Sequence, residues 1–326
     1  MAIEILRPGL LMTVQDAGRH GLQHVGLCPG GAMDPAAFAL ANALVGNAPG
    51  DAALELTVLG PDLRFARETL IALAGAEFHA GMPQNRPFLV AAGTRISIGR
   101  AKRGARAYLA MAGGIAVEPV LGSRSTYLPG RFGGLDGRRL RRGDILPLVK
   151  NSAALSRKRF ASLKHPHERT VRWSAPALTV PDREPVLVHV TDGANFADFD
   201  ASTQRVFFDT VWKIGPDSNR MGYRLAGPQL SRAGGGEILS GPTCLGTVQV
   251  PASGVPIALM ADHQTTGGYP KIAEIASADV PRLAQLAPGG TLHFARCSLE
   301  IAAELRRDAK ARLDAVLQGI AWEYGP

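Results

Sequence analysis

The sequence is poor in cysteine, has no long apolar run and lacks the common nucleotide and hydrolase motifs. Its three cysteines, Cys28, Cys244 and Cys297, lie far apart and form no C-x-x-C pair. This excludes a zinc knuckle or a disulfide framework and fits a reducing cytoplasm. Thiols scattered in small or apolar surroundings are expected to be core residues. No stretch reaches the ~18 consecutive apolar residues that a membrane-spanning helix needs. The amino-terminal residues carry Glu4 and Arg7 and show no basic stretch followed by an apolar one, so no secretory signal is expected. No G-x-x-x-x-G-K-[ST] loop is present, so ATP is not expected to bind here through a P-loop. No Met-Lys-Met-like tripeptide offers a lysine for covalent biotin, and there is no G-x-S-x-G elbow. The eight histidines show no metal-ligand spacing, and no metal site is expected. His165 and His167 flank Pro166 in a polar stretch and read as surface residues. The glycines of residues 233–236 lack the strand-then-helix setting of a dinucleotide fingerprint and read as a turn.

What is present is globular. The 326 residues are 46% hydrophobic and 20% charged, enough for two domains with real cores. The net charge is +8, with arginines bunched in residues 100–106, 138–142 and 157–169. No aromatic platform or helix-turn-helix pattern accompanies them, so no nucleic acid partner is expected. A solvated basic face, or attraction for carboxylates and phosphates, is the expected use.

Short apolar runs separated by glycine, proline and aspartate dominate the chain. They cover residues 54–58, 69–73, 88–92, 95–98, 107–111, 186–190, 247–250, 257–260 and 291–294. Many short strands at close spacing predict sheets closed into barrels or sandwiches. Two helices stand out. One opens at Asp34-Pro35, with an N-cap and a proline at the first helical position, and ends near Gly46. The other covers residues 298–317, with a basic outer face. Residues 150–172 turn polar and basic, and a domain boundary is expected near residue 160, giving domains 1–160 and 161–326. A faint echo, L-x-x-G-x-x-L at residues 140–146 and 286–292, reads in both places as a turn feeding a strand.

Four segments join glycine-rich backbone to reactive polar groups, the way loops build sites on rigid barrels. In the first, Gln15, Asp16 and Arg19 crowd together; Asp16 could fix a turn by pairing with Arg19, or Arg19 could meet a carboxylate or carbamoyl oxygen. In the second, Met33 and Asp34 follow Gly30-Gly31; Asp34 could simply cap the helix, or the helix start could receive an anion. The third holds Ser123, Arg124, Ser125, Thr126 and Tyr127, either a self-satisfied turn or a cradle for an amide or urea-like group. The fourth runs from Met260 to Lys271, with Asp262, His263, Gln264, Thr265, Thr266, Gly267, Gly268, Tyr269, Pro270 and Lys271 directly after an apolar strand. Asp262, Gln264 and Tyr269 are the candidate catalytic residues. Asp262 suits a general base or a holder of the leaving nitrogen, and Tyr269 a general acid or oxyanion donor.

Taken in order, RPGLLMTVQDAGRHG, GAMDPAAFALANALVGN, ALELTVLGP, YLAMAGGI, GSRSTY, GGLDGRRLRRGD, SNRMGYRLAGP and QVPASGVPIALMADHQTTGGYPKI resemble the biotin-dependent carboxyltransferase-like family. That family includes allophanate hydrolase subunit 2 proteins and the carboxyltransferase part of urea carboxylase. The resemblance implies a mainly β fold of two cyclophilin-like barrels in tandem, with few short helices and a C-terminal helix. It implies one member of a complex, working with a Kip-inhibitor-like B component (KipI type) and a LamB/YcsF-like A component, the complex using ATP to open 5-oxoproline to glutamate. It adds Asn219 and Arg220 to the candidate substrate-binding residues. Two other roles follow from the same resemblance: carboxyl transfer to a urea-like substrate from biotin held on a partner, or regulatory binding of a Kip-inhibitor protein. The chain departs from the family pattern in three places. Residues 239–244 lack the acidic residue of the usual Ser-Glu-Gly, His263 stands where arginine is common, and residues 82–86 lack the Asn-Gly-x-Pro form.

Overall fold

In the computed structural model, residues 2–149, 161, 169–232 and 238–324 are described. The expected boundary near residue 160, the histidines at 165 and 167 and the glycines of 233–236 lie outside them. Backbone contacts divide the chain into two compact units: Met1–Arg19, Gly30–Val180 and Ala311–Pro326 in one, His20–Pro29 and Pro181–Lys310 in the other.

The first unit is a curled eight-stranded sheet. Its strands are β1 (Ala2–Arg7), β2 (Leu11–Gln15), β3 (Ala53–Thr57), β4 (Asp62–Phe65), β5 (Thr69–Ala80), β6 (Phe88–Val90), β7 (Arg95–Met111) and β8 (Ile145–Pro147). The long strand β7 organises it. Along one edge β7 pairs with β3 through Arg106–Leu109 and with β4 through Arg95–Ser97; β5 runs along its other edge. The sequence pattern suggests two strands where β7 is one, because Gly99 and Gly104 read as breaks. They instead sit in a stretch where the pairing with β5 shifts register, so the extra residues bend the ladder without ending it. Residues 69–76 of β5 are buried without alternation. One face meets Ile3, Leu54, Leu63 and Phe65, the other meets Phe38, Leu40 and Leu44 of the helix Pro35–Val45. A strand buried on both faces reads as one apolar run, and each large side chain enclosed this way contributes about 1.5–3 kcal/mol.

The helix Pro35–Val45 begins and ends where its caps dictate. Asp34 accepts from the Ala37 amide at 3.1 Å, and Gly46 closes the last turn in the left-handed region at φ 73°. The C-terminal helix, Leu299–Tyr324, runs longer than the expected 298–317. Its last turns belong to the first unit, where Ile320 joins the core under the helix Pro35–Val45 and Tyr324 meets Trp173 edge-on at 6.4 Å.

The second unit contains a closed seven-stranded barrel, in the order β10 (Val211–Ile214), β11 (Gly222–Ala226), β14 (Ile257–Leu259), β13 (Thr247–Gln249), β16 (Lys271–Ile275), β9 (Val186–Asp192) and β17 (Thr291–Arg296). Neighbours are antiparallel except β9 and β17, which run parallel, and β17 closes the ring on β10. Val186, Val188 and Val190 alternate inward from β9. The short helix Ala201–Asp209 plugs the barrel with Phe207, stacked on Phe294 at 4.6 Å, and its backbone carbonyl accepts from the Trp212 indole at 3.0 Å. Outside the barrel, β12 (Gly241–Pro242) and β15 (Thr266–Gly267) form a separate two-stranded ribbon. Both halves of the L-x-x-G-x-x-L echo are turns feeding strands, β8 and β17. Of the cysteines, Cys28 is buried as expected, whereas Cys244 is exposed and Cys297 half-exposed. No described helix is long and apolar enough to cross a membrane.

Candidate functional site

Each unit brings one group of the candidate residues together. In the first, β2 delivers Gln15 and Asp16 against the hydroxyl-rich loop of residues 123–126. The Asp16 carboxylate accepts from the Ser123 and Ser125 hydroxyls (2.6 and 2.5 Å) and from the Gly18 and Arg124 amides (2.8 and 2.5 Å). Burial would raise the Asp16 pKa, but these four donors outweigh it and hold the carboxyl below its usual range. Asp16 is therefore the anchor of the loop, and its partners are serines and amides rather than Arg19. Arg19 is buried, donates to the Ser125 carbonyl at 2.7 Å and lies 4.8 Å above the Phe132 ring. Gln15 donates to Thr13 Oγ1 (3.0 Å) and the Thr126 carbonyl (3.2 Å); that carbonyl fixes the amide's orientation and leaves its buried Oε1 without a hydrogen-bond partner among the described residues. Thr126 donates its hydroxyl to the Val14 carbonyl at 3.0 Å, and Tyr127 packs on Phe132 at 5.2 Å. Gly133 and Gly134 close on this loop so tightly that a β-carbon would lie 2.1 Å from the Ser125 carbonyl oxygen or 2.0 Å from Thr126 Oγ1, both at positive φ. Gly134→Ala is expected to cost about 2 kcal/mol or more, checked by the shift in urea midpoint.

Asp34 caps the helix start, next to Met33. Both are buried; the Met33 amide donates to Glu55 at 2.9 Å, and the second Asp34 oxygen accepts from Thr179 at 2.5 Å. Behind them lies a network that no sequence motif marks. The Tyr108 phenol donates to Glu55 at 2.8 Å and accepts from the Asp34 amide at 2.8 Å, with Arg106 3.9 Å from Glu55. Burial, then the Glu55 and Asp34 charges, push the Tyr108 pKa well up, so it stays a neutral donor. Its only sequence signal is a polar residue in each of two apolar strands.

In the second unit, Arg220 and Asp262 form a buried two-pronged ion pair, Nε to Oδ2 and Nη2 to Oδ1, both 2.9 Å. The Asp262 amide also donates to the Arg220 carbonyl at 2.8 Å, so the loop leaving β14 is pinned at its root. Asn219 is exposed and caps its own turn, accepting from the Met221 amide at 2.8 Å. His263 is buried, and its Nδ1 lies 2.6 Å from the Gln264 carbonyl. Burial holds its pKa below the ordinary imidazole range, so near neutral pH the ring is uncharged and Nδ1–H donates. Gln264 donates to Gln249 Oε1 at 3.1 Å, and Thr243 donates to the Gln264 carbonyl at 2.5 Å. The amide nitrogen of Gln249 is buried beside Gly267, without a hydrogen-bond partner among the described residues. Gln249 is absent from the candidates above, yet a signal exists. Thr-Val-Gln recurs at residues 13–15 and 247–249, ending a strand in each unit with a buried glutamine. Thr265 and Gly268 are half-buried, whereas Thr266 and Tyr269 are exposed. Gly268 and Tyr269 line a cleft of about 610 Å³ together with Ser231, Arg232, Val250 and Ser253.

The family described as carboxyltransferase domain, subdomain A and B, matches residues 25–296. The C subunit of 5-oxoprolinase from Escherichia coli is 40% identical over 311 residues, 94% of each chain. Its Haemophilus influenzae counterpart of the same name is 35% identical over 320 residues, 96% of this chain and 97% of the relative. The crystal structure of the K. lactis urea amidolyase matches with a TM-score of 0.85 at 34% identity, over 97% of this chain and 20% of that larger protein. With the profile spanning residues 25–296 and relatives aligned along nearly its full length, this chain belongs to the family of carboxyltransferase domains of the subdomain A and B type.

Proposed function

We propose that this chain is the C subunit of an ATP-dependent 5-oxoprolinase, hydrolysing the lactam of 5-oxoproline to glutamate with a Kip-inhibitor-like B component and a LamB/YcsF-like A component. The supporting observation is 40% identity along 94% of both chains with the E. coli 5-oxoprolinase relative. A five-membered lactam is a poor electrophile. Phosphoryl transfer from ATP to its oxygen would activate the carbon for attack by water; the ring nitrogen would then leave, taking a proton, and hydrolysis of the resulting acyl phosphate would release glutamate and inorganic phosphate. ATP acts here as a substrate of the complex, and biotin has no place in this reading.

Within this chain, the Asp262 carboxylate is engaged through both oxygens by Arg220, so we assign it to holding the loop rather than to taking a proton. Gln264, held by Gln249, keeps the same loop in place. The exposed Tyr269 phenol at the cleft is the better-placed proton donor for the leaving nitrogen. The cleft is large enough for an amino-acid-sized lactam.

The test is ATP-dependent glutamate release from 5-oxoproline. The chain alone is expected to be inactive and the mixture with co-expressed A and B components active, with Tyr269→Phe lowering kcat about a hundredfold. A stable complex that releases no glutamate would sink the reading. The match to urea amidolyase favours a second one, carboxyl transfer to urea from biotin on a partner. Urea-dependent loss of carboxybiotin in the presence of this chain would then be the positive result.

A further inference from the structure

The ribbon of β12 and β15 places Gly241 opposite Gly267. A β-carbon at Gly241 would sit 3.3 Å from the Lys271 ammonium nitrogen, and among the described residues the only other heavy atom nearby is the Leu239 carbonyl oxygen at 4.0 Å. Among the described residues, room for a side chain therefore opens directly in front of the ammonium. Lys271 is half-buried at the start of β16, its amide bonded to Asn195 Oδ1 at 3.1 Å. Its ammonium has no hydrogen-bond or ion-pair partner among the described residues. The nearby carboxylate of Glu274 is committed elsewhere, accepting from Thr247 Oγ1 at 2.7 Å and from the Cys244 thiol at 3.2 Å. Gly268 and Tyr269, three and two residues before Lys271, form part of the cleft wall. The Ser240 hydroxyl lies 3.2 Å from where a Gly268 β-carbon would be, so a hydroxyl donor borders the same ribbon.

A partly buried ammonium is stabilised by an anion that replaces the water it has lost. Here glycine occupies the position from which a carboxylate would reach it, and among the described residues no group takes the ammonium's donors. We propose that Lys271, facing the open side-chain position of Gly241, is a specificity-determining residue that receives the carboxylate of a small anionic substrate. This rests on the reading of the previous section, in which the substrate is a lactam bearing a carboxylate. Urea carries no such group, so the arrangement also separates the two readings.

The experiment is calorimetric titration of the full-length chain with 5-oxoproline, its neutral carboxamide and succinate. The wild type is expected to bind 5-oxoproline at least about tenfold more tightly than the carboxamide, the usual worth of one charge-assisted hydrogen bond. Lys271→Gln should remove that preference and Lys271→Arg should keep most of it. Gly241→Glu, which sets a carboxylate against the ammonium, should also remove it. Circular dichroism checks that each variant is folded, and Lys271→Gln decides alone if Gly241→Glu is not. A folded Lys271→Gln that keeps the full preference overturns the proposal, while glutamate release by the complex would leave the wider function standing. Lys271-dependent binding of succinate with none of either lactam would support the anion site and remove 5-oxoproline as the substrate.

Discussion

Asp262→Ala is expected to destabilise the protein by about 3–5 kcal/mol, because it leaves the Arg220 guanidinium buried without its counter-charge. The pair itself adds far less than this to stability, since bringing both ions out of water offsets most of their attraction. What is costly is removing one partner alone. The double variant Asp262→Ala/Arg220→Met replaces the stranded cation with an apolar chain of similar length and should recover most of the loss. Urea denaturation of the wild type, both single variants and the double variant gives the coupling directly. A single-variant loss under about 1 kcal/mol would mean that Arg220 finds water or another acceptor, and that the root of the 262–269 loop is not held by this pair. In the assembled complex the same variant should lose activity through disorder of the loop, so kcat should fall with no new dependence on pH. A general base would instead leave a pH-rate profile stripped of its acidic limb.

Much of the architecture is readable because its signals are local. Asp34-Pro35 and Gly46 bound a helix whose caps lie where those residue types require. Apolar runs four or five residues long mark β3, β9, β14 and β17. Four of the strands that escape the sequence share a cause. In β1, β10, β11 and β16 only some residues face the core, so the apolar positions are diluted by Glu4, Lys213, Arg224 and Glu274. The helix Ala201–Asp209 escapes too, although Asp200 caps it, accepting from the Thr203 amide at 2.7 Å. Its short length and polar surface leave only Phe207 and Thr203 buried, too few for a period to show.

The candidate loops are legible as segments but not as roles. Density of polar side chains marks a place where the chain does something other than pack. It does not say which groups face each other. By sequence Asp16 suits Arg19 three residues on, yet its oxygens are filled largely by residues 107–109 positions away that only the fold brings near. Asp262 has the make-up of a base, but Arg220, 42 residues earlier, takes both its oxygens. Gln249 does not stand out, because it ends an apolar strand, and Lys271 closes the fourth segment with no role of its own marked by the sequence. What distinguishes them is an amide atom without a partner and an ammonium facing a glycine.

Asp16→Ala should cost about 3 kcal/mol at neutral pH, the second of the two largest effects expected. It takes the acceptor from two hydroxyls and two backbone amides at once. Hydrogen bonds to a charged acceptor contribute about 1.5–3 kcal/mol each, but the hydroxyls can turn elsewhere, so the sum is not reached. Asp16→Asn should be nearly as damaging, because its NH₂ would point a donor at donors. The dependence on pH follows from the lowered carboxyl pKa in the fold. The stabilisation is fully present above the unfolded carboxyl value of about 3.9 and is lost as pH falls through the lower folded value. Wild type and Asp16→Ala should therefore differ most near pH 7 and converge as acidification passes below the lowered folded carboxyl value. Urea midpoints at neutral and at acidic pH measure this. A difference that stays constant would show that the 123–126 loop is held by packing, with Gly133 and Gly134 against it, and not by the charge on Asp16.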